Sequence, residues 1–279
     1  MIRETNNKTI RHNKESEVTD TSYLRDFYSK NNHFPLFSQV LIETRTDCNK
    51  RCSFCPQSFY QREQEVMRWD IFQRIINSLA SIGFAGRLVF LVTNEPLLEV
   101  RLIQMIKYSK QISSRFFIDL TTNGTLLNLE IVENLFAAGL DNLLINDYRS
   151  DRKMNQDIVS DNLVPIIKTY KHNPKLCYTP RSDDEIWPNY AGVIPQNFDK
   201  TNFGFCNFPF RKIVFSVKGN VMLCCNDYFH ETNFGNILYE PILSIWHSES
   251  INEIRSNLLN NIRIGLCSKC NDKQDYSVF

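Results

Sequence analysis

Glycine is scarce in this chain, nine in 279 residues, and none falls into the patterns GxGxxG or GxxxxGK[ST]. Those are the spacings by which a backbone wraps a dinucleotide or a triphosphate, so nicotinamide and ATP are not expected to drive the chemistry. An excess of either charge is also lacking, with 32 lysines and arginines against 31 aspartates and glutamates. No overall field then draws nucleic acid or an anionic membrane as a default partner, and local sites have to carry the function. No apolar run reaches the roughly 18 residues of a spanning helix, and the opening "MIRETNNKTIRHNKESEVTD" has no signal-peptide core. The expectation is a cytoplasmic protein with no membrane partner. At 42% hydrophobic composition the chain has enough apolar material for a full core, expected as one domain with a smaller appendage.

Residues 1–37 are polar and short of apolar periodicity, which predicts an arm or short cap without chemistry. From Gln39 onward, short apolar runs alternate with helical periods. "VLIET" (40–44) precedes a helix carrying Trp69, Phe72, Ile76 and Leu79 on one face. "RLVFLVT" (87–93), "FFIDLT" (116–121), "NLLIN" (142–146) and "KLCYT" (175–179) follow as strands. Helices are predicted between them near Leu102–Ser109, around Ile131, Leu135 and Phe136, and over Asn162–Tyr170, the last interrupted by Pro165. This alternation predicts an α/β fold, an incomplete (β/α) barrel over 38–195. The texture changes after residue 180, and a small α+β domain is expected over 196–279. It begins near Cys206, with a hairpin turning at Lys218, Gly219 and Asn220 and an amphipathic helix over Ile242–Leu259.

Nine cysteines stand unevenly at 48, 52, 55, 177, 206, 224, 225, 267 and 270. In a reducing compartment such clustering favours metal binding over disulfides. The stretch "TDCNKRCSFCPQ" (46–57) spaces three thiols as C-x3-C-x2-C, which leaves a fourth coordination position open. Structural zinc sites close all four positions, whereas a [4Fe–4S] cluster can leave one iron for a substrate or cofactor. A solvated loop with coincidental cysteines is the bland alternative, and its place after the first strand, where a β/α barrel builds its active site, counts against it. Cys206, Cys224 and the pair Cys267-x2-Cys270 form a second set with a full complement of four ligands, which suits zinc or an iron–sulfur cluster alike. Cys225 should face away from Cys224 on an extended strand. Cys177 reads as a small core residue, and His230 and His247 as surface or packing residues.

The C-x3-C-x-aromatic-C stretch resembles the radical S-adenosylmethionine (SAM) enzymes, with Phe54 in the aromatic slot. The resemblance implies that Cys48, Cys52 and Cys55 hold three irons of a [4Fe–4S] cluster. Its fourth iron binds the amino and carboxylate groups of SAM, and reductive cleavage yields a 5′-deoxyadenosyl radical that abstracts a substrate hydrogen. Phe54 would pack near the adenine. "TNEPLL" (93–98) resembles the family's GGEP segment at the SAM ammonium. Thr93 and Asn94 replace its glycines, and Glu95 keeps the acid. "TTNG" (121–124) resembles the segment that meets the SAM ribose and carboxylate, which places Thr122 and Asn123 at the cofactor; Asn146 joins them on strand position alone.

With the first cluster in view, Cys206-x12-Gly219-x4-Cys224 followed by Cys267-x2-Cys270 resembles the twitch domain, a half-sized SPASM domain holding one auxiliary [4Fe–4S] cluster. Together with "FAGRLVF", "GNVMLCCND" and "FGNILYEPILSIWHSESI", it narrows the resemblance to the twitch-containing dehydrogenases of aminoglycoside biosynthesis, over about residues 39–272. For this chain that implies oxidation of a sugar or aminocyclitol alcohol, with the auxiliary cluster accepting the second electron and a reductant such as flavodoxin or ferredoxin. One departure stands out. The family's Asn-Arg-Gly-Gly stretch is "NYAG" here, which puts Tyr190 where the arginine would be. A hydroxyl cannot supply a fixed cationic fork, and Tyr190 is expected to face the substrate as donor, base or radical partner. The competing readings are a peptide-modifying maturase or epimerase, for which residues 1–37 are too short to form a leader-binding domain, and a two-zinc structural module.

Overall fold

A computed structural model of the protein describes residues 20–149, 159–182, 187–194 and 204–272. The alternating pattern resolves into β1 (Gln39–Ile42), α2 (Trp69–Ser81), β2 (Arg87–Val89), α3 (Leu102–Ile112), β3 (Phe117–Thr122), α4 (Leu129–Ala137), β4 (Asn142–Arg149), α5 (Val164–Tyr170) and β5 (Leu176–Ser182). Strands β1 to β5 pair in parallel in sequence order, as right-handed β/α units require. Every residue of β1 is buried, which is why Val40, Leu41 and Ile42 read as an unbroken apolar run rather than an alternating one. Ile71, Phe72, Ile75, Ile76 and Leu79 of α2 pack into a core shared with Val40, Ile42, Leu88, Ile118 and Leu120.

Past the barrel the chain forms a short α6 (Phe208–Arg211), β6 (Lys212–Phe215), β7 (Val221–Met222), α7 (Ile242–Trp246) and α8 (Glu249–Leu259). Strand β6 adds in parallel to the free edge of β1, and β7 pairs antiparallel with β6, so one seven-stranded sheet runs β5-β4-β3-β2-β1-β6-β7. Gly219 makes the hairpin with φ +81; a Cβ there would meet Ile71 and Ile237 side chains at 3.0 and 3.1 Å. The border expected at 195–196 lies outside the described residues.

The structure departs from the sequence reading in four places. Residues 21–31, read as part of an arm or short cap without periodicity, form helix α1 (Thr21–Asn31), capped by Asp20 and pinned through Leu24 against Phe34, Phe210 and Leu258. One buried residue in eleven leaves no periodicity to read. Pro165 starts α5 rather than interrupting it, because the first helical turn needs no N–H there. The helix expected over 242–259 is two helices, separated at His247 and Ser248. Cys177 is exposed, not core, because β5 is the outermost strand of the sheet. Among the described residues, no helix is long and apolar enough to cross a membrane.

Candidate active site

The C-terminal ends of β1 to β4 deliver the candidate residues to one end of the sheet, where β/α folds build their sites. Past β1, the cysteine loop is stitched to its neighbours. Buried Gln57 donates to the carbonyls of Thr46 (2.7 Å) and Thr93 (3.1 Å), and the Glu95 amide donates to the Asp47 carbonyl at 3.0 Å. Within the loop the Cys55 amide donates to the Cys52 carbonyl at 3.0 Å, which turns the chain so that the three thiols approach one another. Their proximity is visible in Cys55, whose pKa is pushed up to about 12 by burial first and by the neighbouring Cys48 and Cys52 sulfurs after it. Thiols so placed do not ionise alone; a metal bound by Cys48, Cys52 and Cys55 would supply the missing positive charge.

Glu95 is the centre of the adjoining loops. It is 2% exposed; Oε1 accepts from Thr122 Oγ1 (2.7 Å) and the Leu97 amide (3.0 Å), and Oε2 accepts from the Asn123 amide (2.9 Å). Every one of these partners is neutral. Burial raises its pKa above the usual carboxylate value, since no cation among the described residues offsets its charge. Asn123 reaches from the same turn to Cys48, with Nδ2 3.8 Å from Sγ. A buried carboxylate without a counterion, next to a three-thiol loop, suits the ammonium and sulfur chemistry of SAM. Asn94 turns its side chain back to the segment that follows β2, accepting from the Val92 amide at 3.0 Å, so it fixes the loop. Midway along β4, which runs past the end expected at residue 146, Asn146 is buried and its Oδ1 has no hydrogen-bond partner. Phe54 stacks on Trp187 with ring centroids 5.1 Å apart and contacts Tyr148 at 5.3 Å.

Because the folded-state pKa of Glu95 is raised, protonated Glu95 favours the fold. Its contribution is complete below about 4.3, the usual glutamate value, and is lost as pH rises through the folded value. SAM-free protein is therefore expected to lose melting temperature as pH rises through that range by more than Glu95→Gln does. Saturating SAM should remove the difference between the two. Parallel curves for both proteins, with and without SAM, would show that Glu95 meets no cation.

The second set of thiols, Cys206, Cys224, Cys267 and Cys270, lines one pocket together with Phe208, Asn226, Arg263 and Asp272. Burial pushes Cys206 to about 12 and Cys267 to about 11, and Cys224 rises well above its ordinary value. No three His, Cys, Asp or Glu side chains among the described residues converge tightly enough for a single metal ion. Four thiols lining one pocket have the number and type of ligands that a [4Fe–4S] cluster takes. Both sets share a local device: the amide two residues on donates to the sulfur, from Lys50 to Cys48 (3.4 Å) and Asp272 to Cys270 (3.4 Å), and likewise from Gln57, Phe208 and Asn226. Such fixed donors favour thiolate ligands.

Tyr190 sits between the two sets. Its hydroxyl pKa is raised well above the ordinary value, by burial and then by Cys55, Cys225, Tyr148 and Asp272 around it. Tyr190 and Ala191 both take left-handed conformations, φ 47 and 54, at a cost of roughly 1–3 kcal/mol each. The neighbouring Asn189 holds them there: its amide donates to Asn271 Oδ1 (2.7 Å), its Nδ2 to the Lys269 carbonyl (2.8 Å), and its Oδ1 accepts from the Asn271 amide (3.2 Å). Those partners flank Cys270, so the turn of Tyr190 is fastened to the four-thiol site.

One group escaped the sequence reading. Glu43, fully buried just past β1, receives Arg62 Nη2 at 2.6 Å and lies 2.9 Å from His230 Nε2. Arg62 also donates to the carbonyl of Tyr228 at 2.9 Å. This cluster ties the three-thiol loop to the chain following Cys224, and its members lie too far apart in sequence for any spacing to reveal it.

Comparison with known proteins agrees with this geometry. Residues 42–147 match the radical SAM superfamily and residues 206–271 match SPASM, an iron–sulfur cluster-binding domain. The chain is 28% identical over 243 residues to the S-adenosyl-L-methionine-dependent 2-deoxy-scyllo-inosamine dehydrogenase of Niallia circulans, covering 85% of this chain and 94% of that protein. The crystal structure of BtrN in complex with AdoMet and 2-DOIA superposes with TM-score 0.70 at 24% identity, over 86% of this chain and 95% of that one. SuiB of Streptococcus suis, bound to its precursor peptide SuiA, shares the fold at TM-score 0.61 and 12% identity, over 91% and 74% of the two chains. The chain thus carries a radical SAM domain over residues 42–147 and a C-terminal iron–sulfur cluster-binding domain of the SPASM type over residues 206–271.

Proposed function

We propose that the protein is a radical SAM dehydrogenase that oxidises a secondary alcohol on a small polar ring, a sugar or aminocyclitol. The observation that carries this reading is the four-thiol cavity on a chain that matches 94% of an aminocyclitol dehydrogenase. Oxidising an alcohol to a ketone removes a hydrogen atom from carbon, a proton from oxygen and one further electron. When bound, SAM with its cluster supplies the hydrogen-abstracting radical and the auxiliary cluster supplies a one-electron acceptor. Cys48, Cys52 and Cys55 would hold the first cluster; Cys206, Cys224, Cys267 and Cys270 would hold the second. Glu95 meets the SAM ammonium, Asn123 and Thr122 set the loop that borders it, and Asn146 offers its unpaired oxygen to the cofactor. Phe54 packs with Trp187 at the adenine. A low-potential donor of flavodoxin or ferredoxin type in the cytoplasm supplies the initiating electron. The likeness to SuiB is one of fold and carries no peptide substrate with it.

The reading is tested by reducing the iron-loaded protein anaerobically with SAM and a panel of cyclitols, aminocyclitols and sugars. The expected result is 5′-deoxyadenosine together with a product lighter by a pair of hydrogens. Deoxyadenosine with a product of unchanged mass would point to epimerisation and overturn the dehydrogenase reading. Tyr190 acts as the hydrogen-bond donor to the substrate in this scheme, since its raised pKa keeps the proton on. Tyr190→Phe is expected to lower kcat/KM about tenfold, the value of one hydrogen bond in a buried site, with substrate-free SAM cleavage unaltered. An unchanged kcat/KM removes Tyr190 from the substrate.

A further inference from the structure

Arg263 stands in the connection between α8 and the turn that carries Cys267 and Cys270, and it lines the four-thiol cavity. Its Nε donates to the Gly204 carbonyl at 2.9 Å and its Nη1 to the Cys270 carbonyl at 3.3 Å. Its Nη2 is buried with no hydrogen-bond partner, and no carboxylate pairs with the guanidinium among the described residues. A buried charged donor left unmatched costs about 1–3 kcal/mol or more. Two carbonyls fix the fork in place, as a planar guanidinium allows and a lysine does not. The charge is close enough to Cys206, Cys267 and Cys270 to favour their thiolates. What the cavity wall offers such a donor, once a cluster fills it, is anionic sulfur.

We propose that Arg263 donates its unspent Nη2–H to a sulfur of the auxiliary cluster and raises that cluster's reduction potential, fitting it to accept an electron. A four-thiolate cluster gains one negative charge on reduction. A fixed cation and a hydrogen bond at its sulfurs therefore stabilise the reduced form more than the oxidised form. Arg263 is a tuning residue: it touches neither substrate nor SAM. The inference rests on the four cysteines holding the auxiliary cluster, which iron analysis checks separately.

The test isolates the auxiliary cluster in full-length protein bearing Cys48→Ala, Cys52→Ala and Cys55→Ala, and follows its reduction by electron paramagnetic resonance. In this background Arg263→Gln is expected to weaken reduction at least tenfold, a fall of about 59 mV for a one-electron couple, and Arg263→Lys to fall between. A change of less than twofold in Arg263→Gln overturns the proposal. Should Arg263→Gln fail to hold iron, the parent triple variant labelled with 15N-arginine decides instead. Pulsed resonance of its reduced cluster is expected to show a nitrogen coupling, and its absence overturns the contact. A triple variant that binds no iron at all would remove the four-cysteine cluster itself, and the proposal with it.

Discussion

Cys55→Ala is expected to abolish 5′-deoxyadenosine formation, lowering it by about 10³-fold or more, since groups that act as a unit fail together. Iron should fall from about eight to about four per chain, because one of two four-iron clusters is lost. The fold has no reason to go with it. The turn through Cys55 is held by its amide on the Cys52 carbonyl and by the Ser58 amide on its own carbonyl, both of which alanine retains. Gln57 still pins the loop to the carbonyls of Thr46 and Thr93. Burial pushes the Cys55 thiol to about 12, so in the absence of iron the position behaves as a neutral group that alanine replaces without leaving a charge behind. Anaerobic iron analysis, deoxyadenosine chromatography and a far-ultraviolet dichroism spectrum check the three expectations on one preparation. Retained deoxyadenosine formation in a variant that keeps its remaining iron would move the SAM site away from this loop.

Three thiols within eight positions were legible because they are a local feature: one turn after one strand brings them together whatever the rest of the chain does. The parallel order of β1 to β5 was legible for a related reason, since each β/α unit is written in consecutive periods. What the sequence could not display depends on distant pairing. Arg62, Glu43 and His230 belong to three separate segments, and only the addition of β6 to β1 brings the chain beyond Cys224 back to the three-thiol loop. Arg263 lies four residues before Cys267 with no spacing that marks it, and its meaning comes from a cavity built by four separate stretches of chain. Asn94 was legible only in part: its position beside Glu95 suggests a cofactor contact, and the structure adds that its short amide satisfies the local backbone, as asparagine does in turns.

Replacing Cys267 and Cys270 together with alanine is expected to separate two outputs that the intact protein couples. Deoxyadenosine should still form in the presence of substrate, within about tenfold of the normal rate, because the three-thiol loop and Glu95 are untouched. The oxidised product should fall by about 100-fold, since one electron released from the alcohol then lacks its acceptor. A second cause has to be kept apart from this one. The turn of Tyr190 is fastened to the same segment through Asn189, Lys269 and Asn271, so loss of the cluster would also loosen the hydroxyl proposed to meet the substrate. Asn271→Ala separates the causes, because it removes the Oδ1 that accepts from the Asn189 amide at 2.7 Å, the shortest of the three clamp bonds, and keeps all four thiols. If the clamp alone matters, Asn271→Ala reproduces the double cysteine variant. If electron acceptance matters, Asn271→Ala lowers deoxyadenosine and product together, by the same factor, and their ratio stays at the wild-type value. A changed ratio in the cysteine variant against an unchanged one in Asn271→Ala assigns the four-thiol site to the electron and the asparagine pair to the placement of Tyr190.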